Sequence, residues 1–371
     1  MKSFKVKVNP EVLKWSIQTM NIPEDKILKS VHINENILNE WLYKDGRPTY
    51  VQLQKFSKLA GMSPLIFLSD KIPEEKPGKI FRNYGDNNKK SYKTLKTIKR
   101  IEFLQNIAGE LYDNLNRNKE TDMEEYTVKY RPEELAVIER KKFCSFTDQK
   151  KYKTAYEALN KFKSEIENNN IIIMQFPFND IRGFSLINKK PFFIVLNSKD
   201  NPESRIFTLF HEYAHLLLRK GELNNYDINK DNDEIERWCD NFASYFLITD
   251  DIIQEYYNKY TDSIYNKVHK ISTQYKLSHS MIFYRFYKLG YIDLITYKKY
   301  IENNGSSDNY KNKDKKMGGV DYIKKIRSNY GYKFINLVSE NYNRGDITLN
   351  DALTYLNIKL DFMKELENSV S

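Results

Sequence analysis

Cysteine, histidine, proline and glycine are all scarce in this chain. Of 371 residues, two are cysteine, five histidine, ten proline and thirteen glycine. Cys144 and Cys239 lie far apart in sequence. That excludes a disulfide scaffold and a four-cysteine zinc site, and it suits a reducing cytoplasm. Long apolar runs are missing as well. Stretches such as PFFIVL (191–196) fall far short of the ~18 residues a membrane span needs, so no membrane role is expected. The opening residues MKSFKVKVNP carry no apolar signal segment, and the expected location is cytoplasmic. No fixed repeat period is present, which excludes a collagen, a coiled coil and a simple repeat array.

What is abundant is charge. Charged residues make up 30% of the chain and the formal net charge is +10. Most of the cationic charge is lysine, 47 of 60 basic residues, so a solvated lysine-rich surface explains the total as well as a polyanion partner does. The distribution says more than the sum. Residues 79–101 carry eight basic side chains and one acid, whereas residues 205–260 carry six basic side chains against eleven acids. An acidic stretch inside a basic protein is what a metal site would need nearby.

The chain divides by composition and pattern. Residues 1–75 read as short helices joined by tight turns. Asn9 can cap the first helix, with Pro10 at its first position. Val12, Trp15, Ile17 and Met20 give that helix an apolar stripe. A segment 49–61 follows, with Leu53, Phe56 and Leu59 inward and Gly61 as a stop. This pattern suggests a helix-turn-helix bundle. Residues 71–90 read as a linker or surface arm, and 76–147 as linker plus helical connector, with helical patterns over 91–117 and 132–142. A compact domain is expected over 148–303. It opens on a helix near 148–168, followed by strands at 171–176, 183–186 and 191–198, the last two forming a hairpin, and then by helices. Residues 304–319 read as a flexible linker and 320–371 as a helical tail. The fold class is therefore α+β, mostly helical.

Two of the five histidines fall in His211-Glu212-Tyr213-Ala214-His215, an H-E-x-x-H pattern. Its flanks are apolar and Asn201-Pro202-Glu203 opens the segment as a helix, so the pattern sits on a buried helix. Residues i and i+4 share a helix face, so both imidazoles can reach one ion. Zinc (Zn2+) takes such ligands, and Glu212 beside them can take a proton from water. The bland alternative is a pair of core histidines satisfying buried polar groups, which leaves two imidazoles and a carboxylate costly to bury. A third ligand is expected from 234–247, whose apolar face is Ile235, Trp238, Cys239, Phe242, Ala243 and Phe246. Glu236 and Asp240, at i and i+4, lie beside that face. Glu236 is the expected ligand, and Asp240 the acid that holds the Nδ1–H of a ligand histidine. Glu234 is the rival, although helix-start charge explains it without metal. Cys239 reads as a small buried hydrophobe.

With these residues in place, the sequence resembles the ImmA/IrrE family of zinc metallo-endopeptidases. The stretch IRGFSLINKKPFFIVLNSKDNPESRIFTLFHEYAHLLL (181–218) is similar to that family's strand–strand–helix core. ERWCDNFASYFLI (236–248) is similar to its third-ligand helix, with Glu236 at the Glu position and Asp240 at a usual Asn or Asp. YKLSHSMIFYRFYKLGYI (275–292) and the tail 330–360 resemble further pieces of longer members. Residues 9–75 resemble the Xre-like helix-turn-helix often fused ahead of the peptidase. The chain departs at Leu247-Ile248-Thr249-Asp250, where members often end this helix in Leu-Met-Pro, and in a long 118–147. The resemblance implies a zincin-like domain and endopeptidase action on a helix-turn-helix transcriptional repressor.

Several alternatives stand open. The edge of strand 191–198 could pair with an extended peptide. His269, His279 and several tyrosines are available to stabilise an oxyanion. Asn34, Asn36 and Asn39 could read DNA bases, but Glu35 and Glu40 oppose phosphate contact and residues 1–78 net only +3. A protein-docking or homodimer role suits this module better than DNA binding. The competing function is a DNA- or partner-binding regulator with a structural zinc site. Such a site has no use for Glu212 and closes with four side-chain ligands.

Overall fold

The computed structural model describes residues 4–44, 46–72, 82–83, 90–147, 149–219, 231–259, 263–304 and 322–361, with backbone alone at 82–83, 231–233 and 304. The linker expected at 304–319 lies almost wholly outside the described residues, as does most of the arm at 71–90. The chain forms two compact units, one of residues 1–77 and 85–104, the other of 78–84 and 105–371.

The first unit is helical. It holds α1 (Pro10–Thr19), α2 (Glu24–Val31), α3 (Glu35–Tyr43) and α4 (Tyr50–Ala60). Asn9 accepts from the Glu11 amide at the start of α1, and Thr49 and Gln52 form a reciprocal capping box at α4. Gly61 ends α4 at φ 67°, the left-handed geometry glycine adopts freely. Val12, Leu13, Met20, Ile27, Trp41, Leu53 and Phe56 are buried in one core. Trp15 and Ile17 are only half-buried against it, and Leu13 takes the place expected for them.

The second unit is built on a small sheet. β1 (Arg82–Asn83) belongs to it, and α5 (Tyr92–Asn114) gives it its later part. There follow α6 (Pro132–Arg140), α7 (Ala155–Glu167), β2 (Ile171–Phe176), β3 (Ile181–Leu186) and β4 (Phe192–Asn197). The helices α8 (Pro202–Leu218), α9 (Asp231–Leu247), α10 (Asp250–Lys259), α11 (Ile264–Tyr275), α12 (His279–Lys288) and α13 (Leu294–Asn304) come next. α14 (Tyr322–Arg344) and α15 (Leu349–Leu356) end the described chain. The helix expected from 148 begins at Ala155, because Thr154 caps it there and Gln149–Lys151 form a separate 3-10 turn. No described helix is long and apolar enough to cross a membrane.

Strand order is β1-β3-β4-β2, with β3 antiparallel to both β1 and β4, and β2 parallel to β4. β3 and β4 form the expected hairpin, and Gln105 Nε2 donates to the carbonyls of Leu186, Lys189 and Pro191 around its turn. One expectation is corrected here. Strand 191–198 offers no free edge for a peptide, because β4 is hydrogen-bonded to β3 on one side and β2 on the other. Its unbroken apolar run marks an interior strand, buried at every position.

The C-terminal helices are part of this unit's packing. α14 lies against β2 and breaks helical geometry at Gly331, φ 72° and ψ 159°. A Cβ at Gly331 would stand 2.6 Å from the Ile173 carbonyl oxygen and 2.8 Å from Glu167 Oε1, so only glycine permits this approach. Burial pushes the Glu167 carboxyl up to about 7, against the pull of Lys163. The unfolded chain releases that proton near 4.5. Between those values unfolding releases a proton, so rising pH destabilises the fold. Thermal melts from pH 4.5 to 7.5 should therefore show a stability loss of about 1–3 kcal/mol that Glu167→Gln removes.

Candidate metal centre

Helix α8 carries the H-E-x-x-H residues into the core. Asn201 Oδ1 accepts from the Ser204 amide at 2.7 Å, Pro202 occupies the first turn, and Arg219 ends the helix in left-handed geometry. From Thr208 to Leu218 every residue of α8 is buried. An aromatic layer ties α8 to α9. Phe210 stacks on Phe246 with ring centroids 4.4 Å apart, and Phe143 and Phe146 meet both rings edge-on. Behind them Tyr213 donates to Glu139 Oε2 at 3.0 Å, and Trp238 Nε1 donates to the Tyr130 carbonyl at 2.8 Å. The rotation of each helix is thus fixed before the polar face is considered.

That polar face brings His211, His215 and Glu236 together. His211 Nε2 lies 3.2 Å from His215 Nε2 and 3.2 Å from Glu236 Oε2, and His215 Nε2 lies 3.2 Å from Glu236 Oε1. Ligands ~2.0–2.1 Å from one tetrahedral zinc are separated by about 3.3 Å, so the donor set fits a metal in type and in spacing. His211 Nδ1 faces Asp240 Oδ1 at 2.9 Å. With Nδ1 as the donor, the Nε2 lone pair is turned toward His215 and Glu236. His215 Nδ1 is buried with no hydrogen-bond partner. Burial pushes the Glu236 carboxyl upward, but the two imidazoles outweigh it and hold the group far below the usual carboxylate range. Glu234 is exposed and stands outside this group. Cys239 is fully buried in the core.

Glu212 is buried between α8 and β3. Burial raises its carboxyl above the ordinary range, opposed by the two imidazoles. Ser185 on β3 donates a hydroxyl hydrogen bond to it, while its Oε1 has no partner. Two residues before Ser185, Gly183 makes room. A Cβ there would stand 2.6 Å from Thr208 Cγ2 and 2.8 Å from the Val195 carbonyl oxygen. Sequence reading missed both residues. Their signal was spacing: positions i and i+2 of a strand share the face turned to the helix.

His269 and His279 pair with each other at 3.3 Å. His279 lines a cavity of about 510 Å³ at the starts of α7 and α8, which includes none of the metal-binding candidates. Tyr284 lies instead in the cavity that contains Asp240, and donates to Asn241 Oδ1 at 2.9 Å. Burial, with Asp240 nearby, pushes its phenol up to about 12.

Residues 165–287 match the family model Peptidase_M78, the IrrE N-terminal-like domain. The match spans β2 through most of α12 and includes every residue of the candidate centre. No curated protein matches the chain.

The arrangement makes a measurable demand. Purified chain should hold about one zinc ion, and His211→Ala, His215→Ala or Glu236→Ala should each strip it, as read by elemental analysis. Asp240→Ala should weaken zinc affinity by roughly 10–100-fold while leaving the three donors intact. Full retention by Glu236→Ala would move the third donor elsewhere.

Proposed function

We propose that this chain, which matches the Peptidase_M78 model over residues 165–287, is a zinc-dependent endopeptidase of the ImmA/IrrE family. The observation that carries the reading is a pair of facts: three donors converge on one point, and a buried carboxylate with an unpartnered oxygen sits beside them. Two histidines and a glutamate form a donor set of catalytic zinc sites, which keep a position open. A bound zinc supplies Lewis acidity, drawing the pKa of a water toward ~7.

The chain's own residues do the rest. Glu212 Oε1 accepts the proton of the attacking water, because burial raises its affinity for that proton. The Ser185 hydroxyl holds the carboxylate in place during the transfer. The same Glu212 then delivers the proton to the departing amine. Asp240 orients His211, and Glu236 completes the donor set without being protonated, since the imidazoles keep it ionised.

For the substrate we adopt a helix-turn-helix transcriptional repressor, on the strength of the family resemblance. The N-terminal bundle serves as a docking surface for that protein or for a second copy of the chain. Its helix α3 exposes Glu35, Asn36, Asn39 and Glu40 together, and acids on that face oppose a DNA backbone. A cytoplasmic setting suits the two free cysteines.

Two experiments test the reading. Co-expression with the repressor of a neighbouring gene, followed by a blot, should show cleavage by the wild type. Glu212→Gln should keep its zinc and its partner but lose roughly 10²–10⁴-fold in rate, because an amide cannot take the proton. Cleavage by that variant at wild-type speed would refute the assigned role. In a gel-shift assay at ~150 mM salt the full chain should leave the repressor's promoter duplex unshifted. Promoter retardation without any cleavage would instead make the protein a DNA-binding regulator.

A further inference from the structure

A cavity of about 400 Å³ opens beside the candidate centre. Its walls come from the elements that hold the centre. Phe207 and Thr208 on α8 stand four and three residues before His211, one turn away on the same side of the helix. Arg182 on β3 adjoins Gly183, and Arg237 on α9 adjoins Glu236. Met281 and Tyr284 from α12 also line it. A peptide lying across the three donors would project a side chain into this space.

The chemistry of the walls selects that side chain. Two guanidinium groups, Arg182 and Arg237, line the cavity with one carboxylate, Asp240, whose Oδ1 already lies 2.9 Å from His211 Nδ1. Arg237 is exposed and Arg182 half-buried, whereas Thr208 and Met281 are buried. The hydroxyls of Ser204, Thr208 and Ser280 also line the cavity. The phenols of Tyr284 and Tyr297, both raised by burial, stay protonated in neutral solution and add no negative charge. Phe207 and Met281 supply apolar surface for a short aliphatic stem.

We propose that this cavity is the specificity pocket of the peptidase and that it takes an acidic side chain, glutamate, from the residue next to the scissile bond. The two methylenes cover Phe207 and Met281, and the carboxylate accepts hydrogen bonds from the arginines. Lysine and arginine are rejected by like charge, and aspartate is too short to use both the apolar wall and the cations. The inference rests on the endopeptidase reading, because it takes the three donors as the place where the peptide is cut.

The experiment separates the two claims. Zinc-loaded wild-type chain is given a library of unstructured decapeptides randomised at every position, and the cut sites are sequenced. In parallel, zinc-loaded Glu212→Gln captures peptides from the same library without cutting them. Glutamate should be enriched about tenfold over lysine at one position in both pools, the scale of one charge-assisted contact. Arg182→Glu/Arg237→Glu should reverse the preference toward lysine, and Arg182→Lys/Arg237→Lys should keep its sign with smaller size. Zinc content and circular dichroism report folding, and the lysine pair decides the matter if the glutamate pair misfolds. Cleavage with no acidic preference, or a preference unmoved by the double substitutions, overturns the pocket and leaves the peptidase standing. No cleavage, with glutamate-selective capture that the arginine substitutions reverse, overturns the peptidase and upholds the pocket. Neither cleavage nor selective capture overturns both.

Discussion

Two imidazole nitrogens stand 3.2 Å apart, and each stands 3.2 Å from one oxygen of the Glu236 carboxylate, where His211 is 1% and His215 3% exposed at the side chain. Bare lone pairs at that spacing repel, and burial removes the water that would soften the repulsion. A shared proton or a cation relieves it, and the spacing of all three suits a cation held by ~2 Å bonds. Much of the surrounding packing can be read as the means of imposing this arrangement. The Asn201 cap sets where α8 begins, and the Phe210–Phe246 stack sets how α8 meets α9. Tyr213, anchored on the buried Glu139, stops α8 from rolling. The apolar side is packed densely enough to hold the polar side in an arrangement it would not choose alone.

The two histidines are not equivalent. His211 has Asp240 at its Nδ1, which fixes both tautomer and ring orientation. His215 has no partner at Nδ1, so its polar contacts are all at Nε2. Glu212 likewise keeps one oxygen buried and unpartnered while Ser185 holds the group. An unsatisfied buried carboxylate oxygen costs stability, and here the cost falls beside the three candidate metal donors. The same logic covers Arg285, fully buried on α12 and paired with Asp250, which stacks 3.5 Å from the Tyr245 ring. It fixes α12, and through α12 the wall that carries Met281 and Tyr284.

Sequence made the centre legible because its geometry is local. An i, i+4 pair on a buried helix follows from helical pitch alone, and Glu236 and Asp240 repeat that spacing on α9. Choosing Glu236 over Glu234 was also possible, since the apolar face through Ile235, Trp238 and Phe242 fixes the rotation of α9. What was not legible is non-local. Nothing in IIIMQF says that it pairs parallel with FFIVLN at the end of the sheet, because its apolar run reads as an interior strand while α14, far along the chain, supplies the cover. Gly183 and Ser185 were read as part of a strand. Their role beside Glu212 depends on which face of β3 meets α8, a matter of tertiary packing. Gly331 gave no signal at all, because its partner Ile173 stands well over a hundred residues earlier.

These long-range contacts also bear on where the folding unit ends. The family match covers 165–287, and it contains the donors, Glu212 and the sheet's three long strands. Yet the carboxylate that anchors Tyr213 is Glu139, before the match. The amide that fastens the β3–β4 turn is Gln105, earlier still. β3 takes its outer partner from Arg82–Asn83, and β2 is flanked by α14 through Gly331, well after the match. An open sheet edge would otherwise invite pairing with another chain. The segment that matches the family model is therefore held in shape by residues on both sides of it, which is why the compact unit runs on through α14.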